Sequence, residues 1–247
     1  MTAFLKMHGL GNDFAVFDAR NQKVALDARL ARALADRRFG VGCDQVIVIE
    51  PAANGADAFM RIYNSDGGEV ESCGNAARCV ARLLMDEKGV SRITLDTAGG
   101  SLACDAEDGL VRVNMGVPKF GWREIPMARE TDTLSFAIDV EGSDFYPLKI
   151  ASAVNVGNPH VVLFAQDAEH APVAEMGPKI ENHPLFPERT NVEFVSLIDQ
   201  NKLRMRVWER GAGITMACGT GACAAMIAAY RRGLVGHKAE IVLDGGT

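Results

Sequence analysis

Laid on itself at an offset of 145 residues, the 247-residue chain repeats its most distinctive words. Met60-Arg61-Ile62-Tyr63 falls on Met205-Arg206-Val207-Trp208, Gly68 on Gly213, Cys73-Gly74 on Cys218-Gly219 and Ala77 on Ala222. At an offset of 146, Gly11-Asn12 falls on Gly157-Asn158 and Gln45 on Asn191. Matches in one order at nearly one offset imply a duplicated domain. Two copies are too few for a solenoid, so the repeat implies two domains in a pseudo-twofold relation.

Each copy has the same local grammar. Ala58 to Tyr63 and Leu203 to Trp208 are short apolar and aromatic runs, which predict strands. Glycines follow (Gly67, Gly68; Gly211, Gly213) and mark turns. A Cys-Gly pair then opens a stretch rich in small residues, and both Asn75 to Met85 and Thr220 to Tyr230 are predicted as densely apolar, central helices. Further strands are expected at Gln45 to Glu50, Arg92 to Asp96, Leu110 to Met115, His160 to Ala165, Val192 to Ile198 and Glu240 to Leu243. Ala28 to Arg37 and Ala171 to Ile180 read as helical or irregular connections. Gly116-Val117-Pro118 is the expected junction, because proline fixes φ and cannot donate to a ladder. The domains are then 1–117, carrying Cys73, and 118–247, carrying Cys218.

A cysteine where a turn becomes a helix sits against unpaired N–H groups and about half a positive charge. That environment lowers a thiol's pKa from about 8.5, and the same N–H groups bind carboxylates. If the domains face each other, the amides of Gly74 and Asn75 and of Gly219 and Thr220 converge on one carboxylate, with a sulfur on each face of the attached carbon. This arrangement inverts an α-carbon: one thiolate removes the proton, the opposite thiol supplies another, and the carbanion's charge spreads towards fixed donors. Cys43, Cys79, Cys104 and Cys223 lie in apolar stretches and read as small buried hydrophobes.

Composition narrows the remaining classes. A net charge of −6 and a pI near 5.4 argue against a nucleic-acid binder. No apolar run approaches the roughly 20 residues of a membrane span, and Met1 to Lys6 lacks the pattern of a signal peptide, so the cytoplasm and reduced thiols are expected. The six cysteines form no C-x-x-C pair, so no metal is expected. Gly9-Leu-Gly11 and Gly211-Ala-Gly213 both fail G-x-G-x-x-G at the third glycine, and the former has no predicted strand before it, which argues against a dinucleotide fold. None of the eight lysines has the context of a pyridoxal-phosphate Schiff base. No cofactor is expected.

Met7-His-Gly-Leu-Gly-Asn-Asp-Phe14, Asn64-Ser-Asp-Gly-Gly-Glu-Val-Glu-Ser-Cys-Gly-Asn-Ala-Ala-Arg-Cys79, Gly157-Asn-Pro-His160, Thr190-Asn191 and Glu209-Arg-Gly-Ala-Gly-Ile-Thr-Met-Ala-Cys-Gly-Thr-Gly-Ala222 together resemble the motifs of the diaminopimelate epimerase family, essentially end to end. The resemblance implies an α/β fold of two pseudo-twofold-related domains, each a curved, mostly antiparallel sheet wrapped around a central helix, with the active site between them. It implies Cys73 and Cys218 as the acid/base pair, with His160 and Glu209 assisting. Asn12, Gln45, Asn64, Asn158, Asn191 and Arg210, with the Gly74-Asn75 and Gly219-Thr220 amides, would bind substrate. Arg210 suits a distal carboxylate through a two-pronged contact.

The implied substrate is diaminopimelate, interconverted between its LL and meso forms for lysine and cell-wall precursors. The resemblance also implies a homodimer. Family members continue past Asp244-Gly-Gly-Thr247 with a strand that contributes to the dimer interface, whereas this sequence ends at Thr247, which leaves dimerisation open. Three alternatives share the scaffold: a proline or hydroxyproline racemase, a phenazine-biosynthesis-type isomerase in which a carboxylate replaces the thiol pair, and a non-catalytic amino-acid binding protein.

Overall fold

A computed structural model describes residues 3–140 and 150–247. The chain divides into two compact units, Met1–Gly116 and Val117–Thr247.

In the first unit, β1 (Leu5–Gly9) and β2 (Asn12–Asp18) form a hairpin whose turn, Leu10-Gly11, has positive φ at both residues. That geometry is the two-residue turn that follows the strand twist. The strand β1 corrects the expectation that nothing precedes the first glycine pair. The pair is nonetheless followed by a strand and not a helix, so a phosphate-binding loop is still excluded. The helix α1 (Ala28–Ala35) then leads to β3 (Gln45–Glu50), which lies parallel to β2 and antiparallel to β4 (Ala58–Asn64). The short β5 (Glu69–Val70) folds back on β4, and α2 (Gly74–Lys88) follows. The strands β6 (Arg92–Thr97), β7 (Gly100–Glu107) and β8 (Leu110–Asn114) complete a sheet of order β1-β2-β3-β4-β6-β7-β8.

Both faces of this sheet are covered. Ile47 and Ile49 belong to the cluster around α2, with Phe14, Ala76, Ala77 and Val80, while Val46 and Val48 belong to the cluster around α1, with Ala31 and Ala35. The alternation of side chains along β3 supplies both clusters from one strand. The helix α2 touches both β1 and β8, the two ends of the sheet order, so the sheet curls around it.

The second unit repeats the plan. After the two-residue β9 (Phe136–Ala137) come β10 (Ile150–Asn155), β11 (Pro159–Phe164), α3 (Val173–Glu181), β12 (Asn191–Asp199), β13 (Lys202–Glu209), β14 (Gly213–Ile214), α4 (Gly219–Arg231) and β15 (Glu240–Val242). The pairings are those of the first unit in the same order: β10 antiparallel to β11, β11 parallel to β12, β12 antiparallel to β13, β14 folded on β13, and β15 parallel to β13. The register agrees residue by residue. Phe14 pairs with Gln45 as His160 pairs with Asn191, and Val16 pairs with Ile47 as Val162 pairs with Glu193. The sequence repeat is therefore a repeat of topology. The strands β7 and β8 have no counterpart among the described residues of the second unit.

Candidate functional site

Parallel β2 and β3 begin at the edge of the sheet where antiparallel β4 ends, so Asn12, Gln45 and Asn64 are gathered at one edge. The turn after β5 brings the start of α2 to the same place. Cys73 is the N-cap of α2, with extended backbone, and its Sγ accepts from the Ala76 amide at 3.5 Å. It lies 4.0 Å from Asn12 Oδ1, which also accepts from Asn75 Nδ2 at 3.1 Å. Asn12 in turn donates to Asp44 at 2.9 Å, and Gln45 Nε2 donates to Asn64 Oδ1 at 2.8 Å. All four amide side chains are buried. The Oε1 of Gln45 and the hydroxyl of Ser72 are buried without a hydrogen-bond partner, leaving capacity for a polar ligand.

The second unit builds a corresponding cluster. Cys218 is the N-cap of α4, its Sγ accepting from the Gly221 amide at 3.2 Å and lying 3.3 Å from the Thr220 hydroxyl. The amide of Arg210 donates to Asn191 Oδ1 at 3.0 Å, while Asn191 Nδ2 donates to the Pro159 carbonyl at 2.9 Å. The Nη1 of Arg210 reaches the Glu188 carbonyl at 3.3 Å. Glu209, at the end of β13, accepts from the Thr215 hydroxyl. His160 is wholly buried, with Nε2 2.7 Å from Asn158 Oδ1 and Nδ1 2.6 Å from Glu193 Oε1.

Every residue expected at the site thus lies in one of two clusters, one in each unit. In the first unit these are Asn12, Gln45, Asn64, Cys73, Gly74 and Asn75. In the second they are Asn158, His160, Asn191, Glu209, Arg210, Cys218, Gly219 and Thr220. The first amides of a helix have no intrahelical acceptor, and in both units they belong to the Cys-Gly pairs.

One electrostatic expectation is overturned. Burial raises the Cys218 thiol well above the usual range, and the negative charges of Glu209 and Glu193 push it the same way; the Thr220 hydroxyl and the Gly221 amide oppose this without prevailing. Those carboxylates come from β13 and β12, far in sequence from the cysteine, so a local reading of the helix start misses them. Cys43, Cys79 and Cys104 are buried in the core, and desolvation raises all three, Cys104 to about 11. Cys223 is only partly buried.

Sequence reading also missed three supporting groups. Asp44 holds Asn12, Thr215 holds Glu209, and Glu193 holds His160. The last had a signal: at the 146-residue offset it falls on Ile47, a charge against an apolar core position.

Comparison with known proteins agrees with this layout. The chain matches the family profile of diaminopimelate epimerase over residues 4–121 and 152–247. It is 53% identical over 246 residues to the diaminopimelate epimerase of Erythrobacter litoralis, covering 99% of this chain and 87% of that one. It is 51% identical to the enzyme of the same name from Rhodospirillum centenum, covering 98% and 82%. Among solved structures, a hydroxyproline epimerase from Agrobacterium vitis superposes with a TM-score of 0.65 at 19% identity, covering 94% of this chain and 78% of that one. A predicted epimerase from Pseudomonas aeruginosa superposes at 0.62 with 18% identity, covering 95% and 83%. These two show the shared fold. The sequence relatives and the profile show more: the chain belongs to the diaminopimelate epimerase family.

Proposed function

We propose that the protein interconverts LL- and meso-diaminopimelate by passing α-protons between substrate and two thiols, Cys73 and Cys218, without a cofactor. The observation that carries this reading is the repeated N-cap: each unit places a buried cysteine at the start of its central helix, at equivalent positions of one topology. A binding protein would use the helix amides and have no need of the sulfurs.

In the proposed reaction one thiolate takes the α-proton and the other thiol delivers its proton to the opposite face of the carbon, so the two sulfurs exchange protonation states. The electron pair left on the carbon delocalises into the α-carboxylate, held by the amides of Gly74, Asn75, Gly219 and Thr220. The buried amide side chains Asn12, Gln45, Asn64, Asn158 and Asn191 orient the ammonium and carboxylate groups, and Arg210 takes the distal carboxylate. His160 and Glu209 assist proton movement. Because burial and two carboxylates hold Cys218 protonated, Cys218 serves as the acid in the free enzyme.

The reading also takes the protein to be cytoplasmic, where all six cysteines stay reduced, and homodimeric like its family. No helix among the described residues is long and apolar enough to cross a membrane.

The test is incubation with LL-diaminopimelate in deuterated water. Deuterium at the α-carbon together with appearance of the meso isomer is expected. Saturable binding without exchange would instead make the chain a binding protein, and comparable turnover of L-proline would make it a proline-type racemase.

A further inference from the structure

We infer that Glu193 is a positioning residue of the reaction, holding the His160 ring through its Nδ1 so that Nε2 is presented to the reacting groups. The inference deepens the function proposed above and rests on it. Its first support is geometry. Glu193 and His160 are each entirely without solvent exposure, and their 2.6 Å contact joins β12 to β11, where Glu193 and Val162 are register partners. The other carboxylate oxygen, Oε2, is buried with no partner. A charged group in such a place is costly unless its environment uses it.

The second support comes from the repeat. At the positions equivalent to His160, Glu193 and Gly221, the first unit carries Phe14, Ile47 and Ala76, three fully buried members of one apolar cluster. The same fold therefore packs perfectly well with an apolar trio here. In the second unit that trio is replaced by a hydrogen-bonded acid and imidazole, and by a glycine that leaves room for them. A Cβ at Gly221 would lie 2.9 Å from Glu193 Oε1 and 3.2 Å from Cys218 Sγ. The polar pair thus stands directly behind the first turn of α4, the turn that Cys218 caps. Folding gains nothing from this exchange that Phe, Ile and Ala do not already give the first unit.

A carboxylate on Nδ1 fixes a histidine's proton on that nitrogen and fixes the plane of the ring. An amide oxygen only accepts, so Nε2 donates to Asn158 Oδ1 at 2.7 Å, and the proton on Nε2 is the one the ring can give up. Losing this constraint removes no side chain assigned to the substrate and loosens only the hold of the ring on Asn158. It is therefore expected to lower kcat far more than it raises KM.

The experiment compares Glu193→Leu, which restores the apolar character of Ile47, with Glu193→Gln, which keeps an acceptor for Nδ1. With wild-type exchange established first, E193L should lower kcat by about 10- to 10⁴-fold, with KM within about threefold. E193Q should fall between E193L and wild type, and the pH–kcat profile of E193L should move by about half a unit or more. In a His160→Gln background E193L should cost less than about twofold, since a residue acting through His160 has nothing left to act on. The inference is overturned if E193L keeps kcat within threefold of wild type, or if it costs as much in the H160Q background as alone. An independent reading comes from the ¹⁵N-histidine spectrum of the wild-type protein, with His160 assigned by its loss in H160Q. A proton on Nδ1 is expected, and a ring protonated on Nε2 alone overturns the inference even if the variants do not fold. Absence of exchange in wild type would refute the epimerase reading, while the ring spectrum would still decide the Glu193–His160 pairing.

Discussion

Gly221→Ala separates what α4 needs for stability from what it needs for chemistry. Within a helix, alanine in place of glycine is favourable by about 1 kcal/mol. Against that gain stand two close approaches. The new Cβ would meet Glu193 Oε1 at 2.9 Å and Cys218 Sγ at 3.2 Å. The carboxylate is the far end of a side chain, but its hydrogen bond to His160 ties it in place. Swinging it and the sulfur aside costs about 0.5–1.5 kcal/mol in off-rotamer strain. The two terms nearly cancel, so the melting temperature should stay within a few degrees of wild type.

Activity should not be spared. The thiol is required to lie in line with the α-carbon, and a displacement of 1 Å can cost about 100-fold. A shift of a few tenths of an ångström is therefore expected to cost about tenfold in kcat. The assays are thermal melting and steady-state epimerisation of LL-diaminopimelate on the same preparation. Wild-type turnover in a folded G221A would refute the claim that the sulfur and Glu193 leave no room at this turn.

Three further outcomes are expected. Cys73→Ala and Cys218→Ala should each lower epimerisation by about 10⁴-fold or more, because either direction needs both an acid and a base; near-normal turnover of either, measured by isomer-resolved chromatography, would dismiss the two-thiol scheme. Arg210→Ala should lower kcat/KM for diaminopimelate sharply while leaving the slow reaction of L-lysine almost unchanged, since lysine has no distal carboxylate to pair; equal losses on both substrates would show that Arg210 is not a specificity residue. The third concerns alkaline stability. Cys104 is raised in the folded protein from 9.0 to about 11, chiefly by desolvation. Its contribution is fully present below pH 9 and is lost as pH rises towards 11, a change of roughly 2–3 kcal/mol. Denaturant titrations at pH 8 and pH 11 should show a smaller decline for Cys104→Val than for wild type, and parallel declines would refute the assignment.

The two-domain plan was legible because the repeat carries it: motif, offset and strand-turn-helix order recur and need no long-range information. Strands β1, β2, β7 and β10 were not read from the sequence. Residues such as Ala15 to Phe17 in β2 and Ala151 to Val154 in β10 are buried on both faces of their sheets, so they lack the polar alternation that marks a half-exposed strand. The same double burial hid Glu193. Between Val192 and Phe194 a glutamate looks like the solvent side of an alternating strand. In the fold no solvent side exists there, because α3 and α4 both pack on β12. The amide residues were legible only through the family motifs that carry them, because a lone asparagine reads equally well as a turn residue.

The two clusters match in their thiols and differ in what stands behind them. Behind Cys73 the first unit packs Phe14, Ile47 and Ala76; behind Cys218 the second packs the His160–Glu193 pair against Gly221. For a racemase acting on mirror-image substrates such polarity would have no counterpart in the reaction. LL- and meso-diaminopimelate are diastereomers, so the two directions present different molecules to the two sulfurs. The difference in support also bears on the Cys218 thiol. Cys218 sits near Glu193 and Glu209, whose charges add to burial in disfavouring its thiolate, whereas the apolar trio behind Cys73 contributes no charge at all. A duplicated fold thus supplies two equivalent positions for sulfur, and a few substitutions in one copy surround one of them with charge.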